Sequence, residues 1–412
     1  MRRITKRIKA ILKKSCRIEL LSPKKRSKDL SSQPTSPKVE GLNLIGHIYA
    51  PSGRGEDART GAMATSAAGI PFTLINTFGD YGKEGKGLAD DSPLRETINT
   101  ANPYDINVFF INADEMHHAY QHLGEHFHHG KYNIGYWAWE LREFPDAWLP
   151  SLDLVDEIWA PSRFIQDAIS QKTDKPVIYM PLSVAPPLTN FLPRPEMNLP
   201  EDKFIFLTFF DFTSYFQRKN PFAVVEAFVK AFNEYPEENA LLLIKLNNWS
   251  HDDHNYKKFE RAIRDNANIL VIKEVLTDQK MKSLVQCCDC FVSLHRSEGF
   301  GRGPAEAMIL GKPVIVTGYS GNMDYCNEAN AFLVDSKLIQ VKPGEYPYGI
   351  GQIWADADTD HAAACMREVC EHRDIAESKS ALGQMTISRY FSPTYIGSRY
   401  KRRLRQLLSG LS

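Results

Sequence analysis

The chain has 412 residues, 43% of them apolar and 11% aromatic, and its 50 Lys and Arg are balanced by 50 Asp and Glu. That length exceeds what one hydrophobic core ordinarily supports, so two domains are expected, and the composition is that of a globular rather than a disordered protein. No apolar run reaches the length of about eighteen residues expected of a membrane-spanning helix, and charges interrupt the first residues too often for a secretory signal.

The balanced total hides an asymmetry. Residues 1–40 hold 13 Lys and Arg against three Asp and Glu, a net of +10 on an otherwise acidic chain. Within them Ile4, Ile8, Ile11, Leu12 and Ile18 recur at near-helical spacing among Arg2, Arg3, Lys6, Arg7, Lys9, Lys13 and Lys14. Two readings fit this tail, a helix lying on an anionic membrane surface and a solvated basic segment. Nucleic acid is not an expected partner, because the tail has no aromatic residue to stack on bases.

From Gly41 short apolar strands alternate with helical stretches. Strands are predicted over Leu42–Tyr49, Pro71–Thr77, Ile106–Ala113, Tyr132–Ala138, Glu157–Ala160 and Pro176–Met180, with helices at Glu56–Ala67, Met116–Phe127 and Arg163–Ser170. This is the rhythm of parallel βαβ units and predicts a doubly wound domain over residues 41–185. The loop Pro51-Ser-Gly-Arg-Gly-Glu-Asp-Ala58 between the first strand and helix matches G-x-G-x-x-A. The second strand ends in Asn76-Thr77, where a dinucleotide site would have an acid for the ribose. Gly53 and Gly55 therefore read either as a close approach to a ligand or facing domain, or as a turn needing positive φ. His117, His118, His122, His126, His128 and His129 form helical pairs without an accompanying carboxylate motif, which favours a polar helix face over a metal site.

The rhythm stops over residues 186–203, where Pro186, Pro187, Pro193, Pro195 and Pro200 read as an interdomain linker. It restarts with strands at Phe204–Phe210, Ala240–Leu246, Ile269–Val275, Asp289–Leu294, Pro313–Thr317 and Ala331–Val334, and helices at Pro221–Tyr235, Asn255–Asn266, Asp278–Cys287 and Pro304–Leu310. A second α/β domain is expected over residues 204–375, closed by helices over 376–412. Two such domains suit a two-part ligand held in a cleft, since α/β sheets bind at the carboxyl ends of their strands. Seven cysteines in so long a chain do not make a disulfide framework; Cys287, Cys288 and Cys290 lack a second pair at metal spacing and read as buried thiols, which suits the cytoplasm.

Arg218 and Lys219 follow the first strand of the second domain and are suited to a departing diphosphate, a solvated pair being the plainer reading. The stretch "HRSEGFGRGPAE", His295 to Glu306, places Glu298 and Glu306 either side of Gly299, Gly301 and Gly303 on the same rim. Pro304 is expected as the first helical residue, so that exposed amides and the positive helix end receive negative charge. Glu306 then falls near the third helical position, but Gly303 has no side chain to complete a capping box. Further on, Asp356-Ala-Asp-Thr-Asp360 imitates the start of a calcium loop, yet His361 and Arg367 occupy two positions such a loop requires; its acids are expected to cap the helix that follows.

Together these residues resemble the retaining glycosyltransferases of family 4, the group 1 glycosyltransferases. The likeness runs through "SEGFGRGPAEAMILGKPVIVTGYSGNMDY", with its E-x7-E pair, "FDFTSYFQRKNPFAVVEAF", "YNIGYWAWELREFP" and "GLNLIGHIYAPSGRGEDAR". It covers nearly everything from Gly41 onward. The resemblance implies an α/β GT-B fold, two Rossmann-like doubly wound domains facing across a cleft, with the acceptor on the first and the donor on the second. It implies that Glu298 contacts hydroxyls of the donor sugar, helped by the backbone at Gly299, Phe300 and Gly301, and that Glu306 holds the nucleotide ribose. Arg218 and Lys219 would bind the diphosphate, the Gly53 and Gly55 loop would wall the cleft, and a helix near Tyr400 to Leu408 would cross back to the first domain. Where many members have a histidine this chain reads Trp137-Ala-Trp-Glu140, so Glu140 or Trp139 is expected to take over that part of the wall.

The implied reaction moves a sugar from a nucleotide diphosphate sugar to an acceptor hydroxyl with retained configuration, using no metal and no cofactor besides the donor. The basic tail points to a glycan or lipid-linked sugar acceptor at the inner face of the cytoplasmic membrane, as in surface polysaccharide or lipopolysaccharide synthesis. Two other readings stay open at this stage: a metal-dependent GT-A type transferase using Asp356-Ala-Asp358, and a catalytically silent sugar-nucleotide-binding subunit.

Overall fold

The computed structural model describes residues 40–77, 88, 92–185, 190–232, 239–251 and 253–410, so the basic tail and both readings of it lie outside the described residues. Six short apolar runs build the first sheet: β1 (Leu42–Gly46), β2 (Phe72–Asn76), β3 (Ile106–Phe110), β4 (Tyr132–Tyr136), β5 (Glu157–Ala160) and β6 (Val177–Tyr179). All pair in parallel, in the order β2-β1-β3-β4-β5-β6. Their helices include α1 (Gly53–Ala67), α2 (Met116–Leu123) and α3 (Arg163–Ser170). Ser52 and Ser162 start α1 and α3 by accepting from the amides of Gly55 and Ile165, which satisfies one otherwise orphaned donor in each. The helix expected to run to Phe127 ends at Leu123, because Gly124 takes φ 88° and breaks it.

The second sheet is also six-stranded and parallel: β7 (Phe204–Asp211), β8 (Ala240–Asn247), β9 (Ile269–Ile272), β10 (Cys290–Ser293), β11 (Val314–Thr317) and β12 (Phe332–Val334), ordered β12-β11-β10-β7-β8-β9. Its helices are α4 (Phe216–Lys219), α5 (Pro221–Phe232), α6 (His254–Ile263), α7 (Asp278–Cys287) and α8 (Arg302–Ile309). The two strand orders are the two common doubly wound types, and in each the order reverses once, at β1/β3 and at β7/β10. A crevice opens at the carboxyl ends of the strands at each reversal, so the fold supplies two half-sites. In the stretch read as a linker, Arg194 donates to Cys287 O, Lys203 O and the Asp289 carboxylate, which ties residues 190–203 to the second sheet.

An antiparallel hairpin that the sequence did not suggest follows: β13 (Ser336–Gln340) and β14 (Ile353–Ala357). Its loop is turned by Gly344 and Gly351, both at positive φ. Val341, Tyr346 and Trp354 of this hairpin are buried in a cluster with Trp137, Trp139 and Phe144 from beside the first sheet. Three helices close the chain, α9 (Thr359–Glu371), α10 (Arg373–Tyr390) and α11 (Pro393–Gly410). Here α11 returns to pack on α1, so closely that a Cβ on Gly397 would lie 2.1 Å from Ala64 O. Tyr400 stacks near Trp159 at 4.8 Å between ring centres, and Arg403 forks onto the buried Glu157 carboxylate.

Candidate active site

Between the two reversals lies a cleft of about 500 Å³, lined from the first sheet's side by Gly53, Arg54, Asp57 and Glu140 and from the second's by Arg218, Lys219, Glu298 and Glu306. Glu298 sits in the loop after β10. Its amide donates to Ser320 Oγ (2.8 Å) and its carbonyl accepts from Gly321 N (2.9 Å), so the next loop along the sheet fixes its backbone. Its carboxylate takes Arg218 Nη1 on one oxygen (3.1 Å) and Lys219 Nζ on the other.

Both cations reach one acid because α4 is a single turn. Tyr215 before it and Asn220 after it take positive φ (65° and 52°), a backbone that bulky residues seldom adopt. The Asn220 amide pins the turn to Leu294 O (3.1 Å), and Arg218 donates to Ser297 O (2.9 Å) and Ser214 O (3.2 Å). Burial pushes the Glu298 carboxyl up, but Lys219 and Arg218 more than offset it and hold the group at about 2. Burial pulls the Lys219 ammonium down against the opposing effect of Glu298.

The helix after this loop begins two residues earlier than Pro304, the start expected from the sequence. Gly301, at φ 85°, is the cap, Arg302 the first residue, Pro304 the third and Glu306 the fifth. Gly303 is needed for packing rather than for capping, since a Cβ there would lie 2.9 Å from the Phe291 ring and 3.1 Å from that of Phe209. The free amides at this helix start are therefore those of Arg302 and Gly303, while Pro304 has none to leave unpaired. Gly299 meets the other side of the cleft: a Cβ would stand 3.2 Å from Trp139 O. Phe300 anchors the loop by packing against Tyr325 and Phe391.

Glu306 belongs to a second charged group that spans the cleft. Arg302 Nη1 lies 3.6 Å from it, while the same guanidinium donates across to Asp57 Oδ1 (2.8 and 3.1 Å) and Thr60 Oγ1 (3.1 Å). Lys282 stands 3.7 Å from Glu56. Burial, with Glu56 nearby and despite Arg302, pushes the Glu306 carboxyl up to about 7. Its folded value lies above its ordinary one, so the stability it contributes is complete below about 4.5 and is lost as pH rises through about 7. Glu306→Gln is expected to flatten that decline in urea unfolding measured from pH 4.5 to 8, and equal slopes for the two proteins would refute it.

On the first-sheet side, Gly53 faces open space and lines the cleft, whereas Gly55 is the third residue of α1 and a close backbone approach, since a Cβ there would lie 2.3 Å from Ala50 O; neither takes positive φ, so the turn reading of these glycines is not met. Glu140 also lines it, accepts from the Tyr346 hydroxyl of the hairpin and stands 3.8 Å from Arg218. Trp139 is buried and donates to Glu143 O (2.8 Å), so of the two residues expected at the missing histidine's place only Glu140 faces the cleft. Asp356 pairs with Arg296 (2.9 Å) and Asp358 caps α9, so these two acids face different partners. With two facing sheets instead of one, this removes the GT-A reading. His128 is a core histidine, stacked on Phe109 and held neutral by burial at about 4. Sequence reasoning missed Ser320, Gly321 and Arg302, although all three stand inside the run from Ser297 to Tyr325 that carries the resemblance.

Residues 194–341 match the family model of glycosyl transferases group 1. No curated protein is a significant sequence match. Among solved structures, HepE from Anabaena, crystallised with UDP and glucose, is similar at 14% identity, over 89% of this chain and 100% of that one, with a TM-score of 0.60. Sucrose-phosphate synthase from Thermosynechococcus elongatus is similar at 15% identity, over 90% and 100%, with a TM-score of 0.62. A glycosyltransferase from Rickettsia africae gives 14%, 89% and 98%, and 0.62. The chain has the GT-B fold, two doubly wound parallel sheets facing across a cleft, and its residues 194–341 carry the group 1 glycosyltransferase pattern.

Proposed function

We propose that the protein transfers a glycosyl unit from a nucleoside diphosphate sugar to an acceptor hydroxyl, with retention and without a metal. The observation that carries this reading is the Glu298 carboxylate shared by Arg218 and Lys219 beside the start of α8. In the free protein these two cations are matched by Glu298 and Glu140. Sugar hydroxyls that hydrogen-bond to Glu298 would release Lys219 toward the diphosphate, so the cations meet the leaving anion as the sugar is held.

The bond from the anomeric carbon to the diphosphate breaks as the acceptor oxygen bonds to that carbon, through a transition state like an oxocarbenium ion. The acceptor's proton passes to the departing phosphate oxygen. Retention rests on the resemblance of the Glu298 and Glu306 pair, and Glu306 is assigned to the ribose on the same ground. The complexes of HepE with UDP-glucose and of a pneumococcal O-GlcNAc transferase with UDP and GlcNAc favour a UDP-sugar donor.

For the acceptor we propose a glycan or lipid-linked sugar at the inner face of the cytoplasmic membrane, in surface polysaccharide or lipopolysaccharide synthesis, with residues 1–40 on anionic lipid. Among the described residues no helix is long and apolar enough to cross a membrane. The test is one panel. UDP- and GDP-sugars are given to the full chain with and without EDTA, then with glycan or liposome-held lipid-linked acceptors, and again after removal of residues 1–40. Transfer from one donor, unaffected by EDTA and weakened on liposomes by the truncation, is expected. Binding without turnover in every arm would make the protein a silent binding subunit.

A further inference from the structure

Lys245 stands out among the buried charges because no acid neutralises it. It lies near the end of β8 in the run Ala-Leu-Leu-Leu-Ile-Lys-Leu-Asn, 1% exposed, yet it lines the cleft. Its ammonium donates to Leu246 O (2.7 Å) and Asn247 Oδ1 (2.5 Å). Among the described residues no carboxylate pairs with it, and its third N–H has no partner. Asp211, at the end of the neighbouring β7, is occupied by Thr213 and Asn248. Burial pulls the group down to about 8, partly opposed by Asp211 and Glu274, so it stays charged at neutral pH. An ammonium taken out of water without a counter-charge costs several kcal/mol, a cost best explained if a ligand completes its hydrogen bonding.

The position says which part of a ligand that is. Arg218 and Lys219 follow β7 and face Glu298 after β10, whereas Lys245 is one strand further out, in register with Phe209 of β7 and Ile272 of β9. Phe209, Val275, Leu276 and Met281 line the cleft with it. An apolar slot with one strong donor in its floor suits a flat heteroaromatic ring carrying a carbonyl. Resting on the donor reading above, we infer that Lys245 is a specificity residue for the nucleobase, donating to a ring keto oxygen and so selecting uracil or guanine over adenine.

The experiment titrates UDP, GDP and ADP into the full-length protein, Lys245→Met and Lys245→Gln by calorimetry. The native protein is expected to prefer UDP or GDP to ADP. Lys245→Met should weaken the keto-base nucleotide about 10- to 100-fold, the worth of one hydrogen bond from a charged donor, and leave ADP within about twofold. Lys245→Gln, which keeps an N–H donor, should recover part of the preference. Thermal melts report the fold, and Met in place of an unpaired buried cation should not lower the melting temperature. Equal weakening of all three nucleotides would place Lys245 on the diphosphate, and no weakening would make it structural; either overturns the inference while sparing the donor reading. Failure of the native protein to bind any of the three overturns both.

Discussion

Glu298→Ala is expected to lower donor turnover by at least about 10²–10³-fold and stability by about 3–5 kcal/mol. The two losses share a cause. The carboxylate is the acid that both Arg218 and Lys219 touch, and Arg218 is buried, so its removal leaves two cations crowded together with, among the described residues, only Glu140 paired to Arg218. Breaking a buried ion pair from one side leaves an uncompensated charge, and that sets the stability figure. On the proposed mechanism turnover falls because a contact to the sugar is lost and because the cations assigned to the leaving group are no longer held in place. The folded Glu298 value is depressed, so its stabilisation is present above about 4.5 and is lost as pH falls through about 2. The stability gap between native and variant protein should therefore stay level from pH 5 upward. Donor hydrolysis and urea melts read the two effects, and a variant of native activity would remove Glu298 from the site.

Gly321→Ala should cost about 3 kcal/mol and abolish donor hydrolysis, although the residue touches no proposed substrate group. A Cβ at this position would stand 2.0 Å from Gly299 O, 2.4 Å from Gly299 C and 2.9 Å from Glu298 O. These are backbone atoms and cannot rotate away, so the loop that carries Glu298 has to move. The Gly321 amide also donates to Glu298 O, so the same shift breaks the bond that sets the carboxylate's height over the sheet. Gly53→Ala is the control, since nothing lies within 4 Å of its added carbon and alanine suits a first helical position. Its stability should stay within about 0.5 kcal/mol of native. Circular dichroism melts of the two alanine variants, run side by side, decide the matter.

The regular elements were readable where local chemistry marks both ends. Glu157–Ala160, Arg163–Ser170 and Asp278–Cys287 lie where the sequence places them, because an apolar run or a Ser162 or Thr277 cap defines each boundary. The β13–β14 hairpin was not readable. Most of β13 is exposed, and what orders the hairpin is packing of Tyr346 on Trp139 and of Tyr348 on Trp148, residues about two hundred positions earlier. The start of α8 was misplaced for a similar reason, since the fit of Gly303 against Phe209 and Phe291 is invisible in a linear motif.

Much the same holds for the site. The acid pair and the Arg218-Lys219 dipeptide announce themselves, but that one carboxylate takes both cations depends on groups 79 residues apart. The Arg302 to Asp57 contact joins positions separated by 245 residues. Lys245 is different, because a lone cation inside an apolar strand is a visible oddity that the motifs overshadowed.

The hairpin and α11 together change how the cleft can be used. Tyr346 and Trp354 on one flank are each under 10% exposed and packed against Trp137 and Trp139 of the first lobe, while on the other flank the buried Tyr400 fastens α11 onto Trp159 of that same lobe. Swinging the lobes apart like a jaw would wet the Tyr346 and Trp354 rings, at a cost on the order of 5 kcal/mol. That cost keeps the lobes together for most of the time. Between openings the cleft is a slot that admits ligands edgewise, and the motion it requires is the swing of side chains such as Lys219.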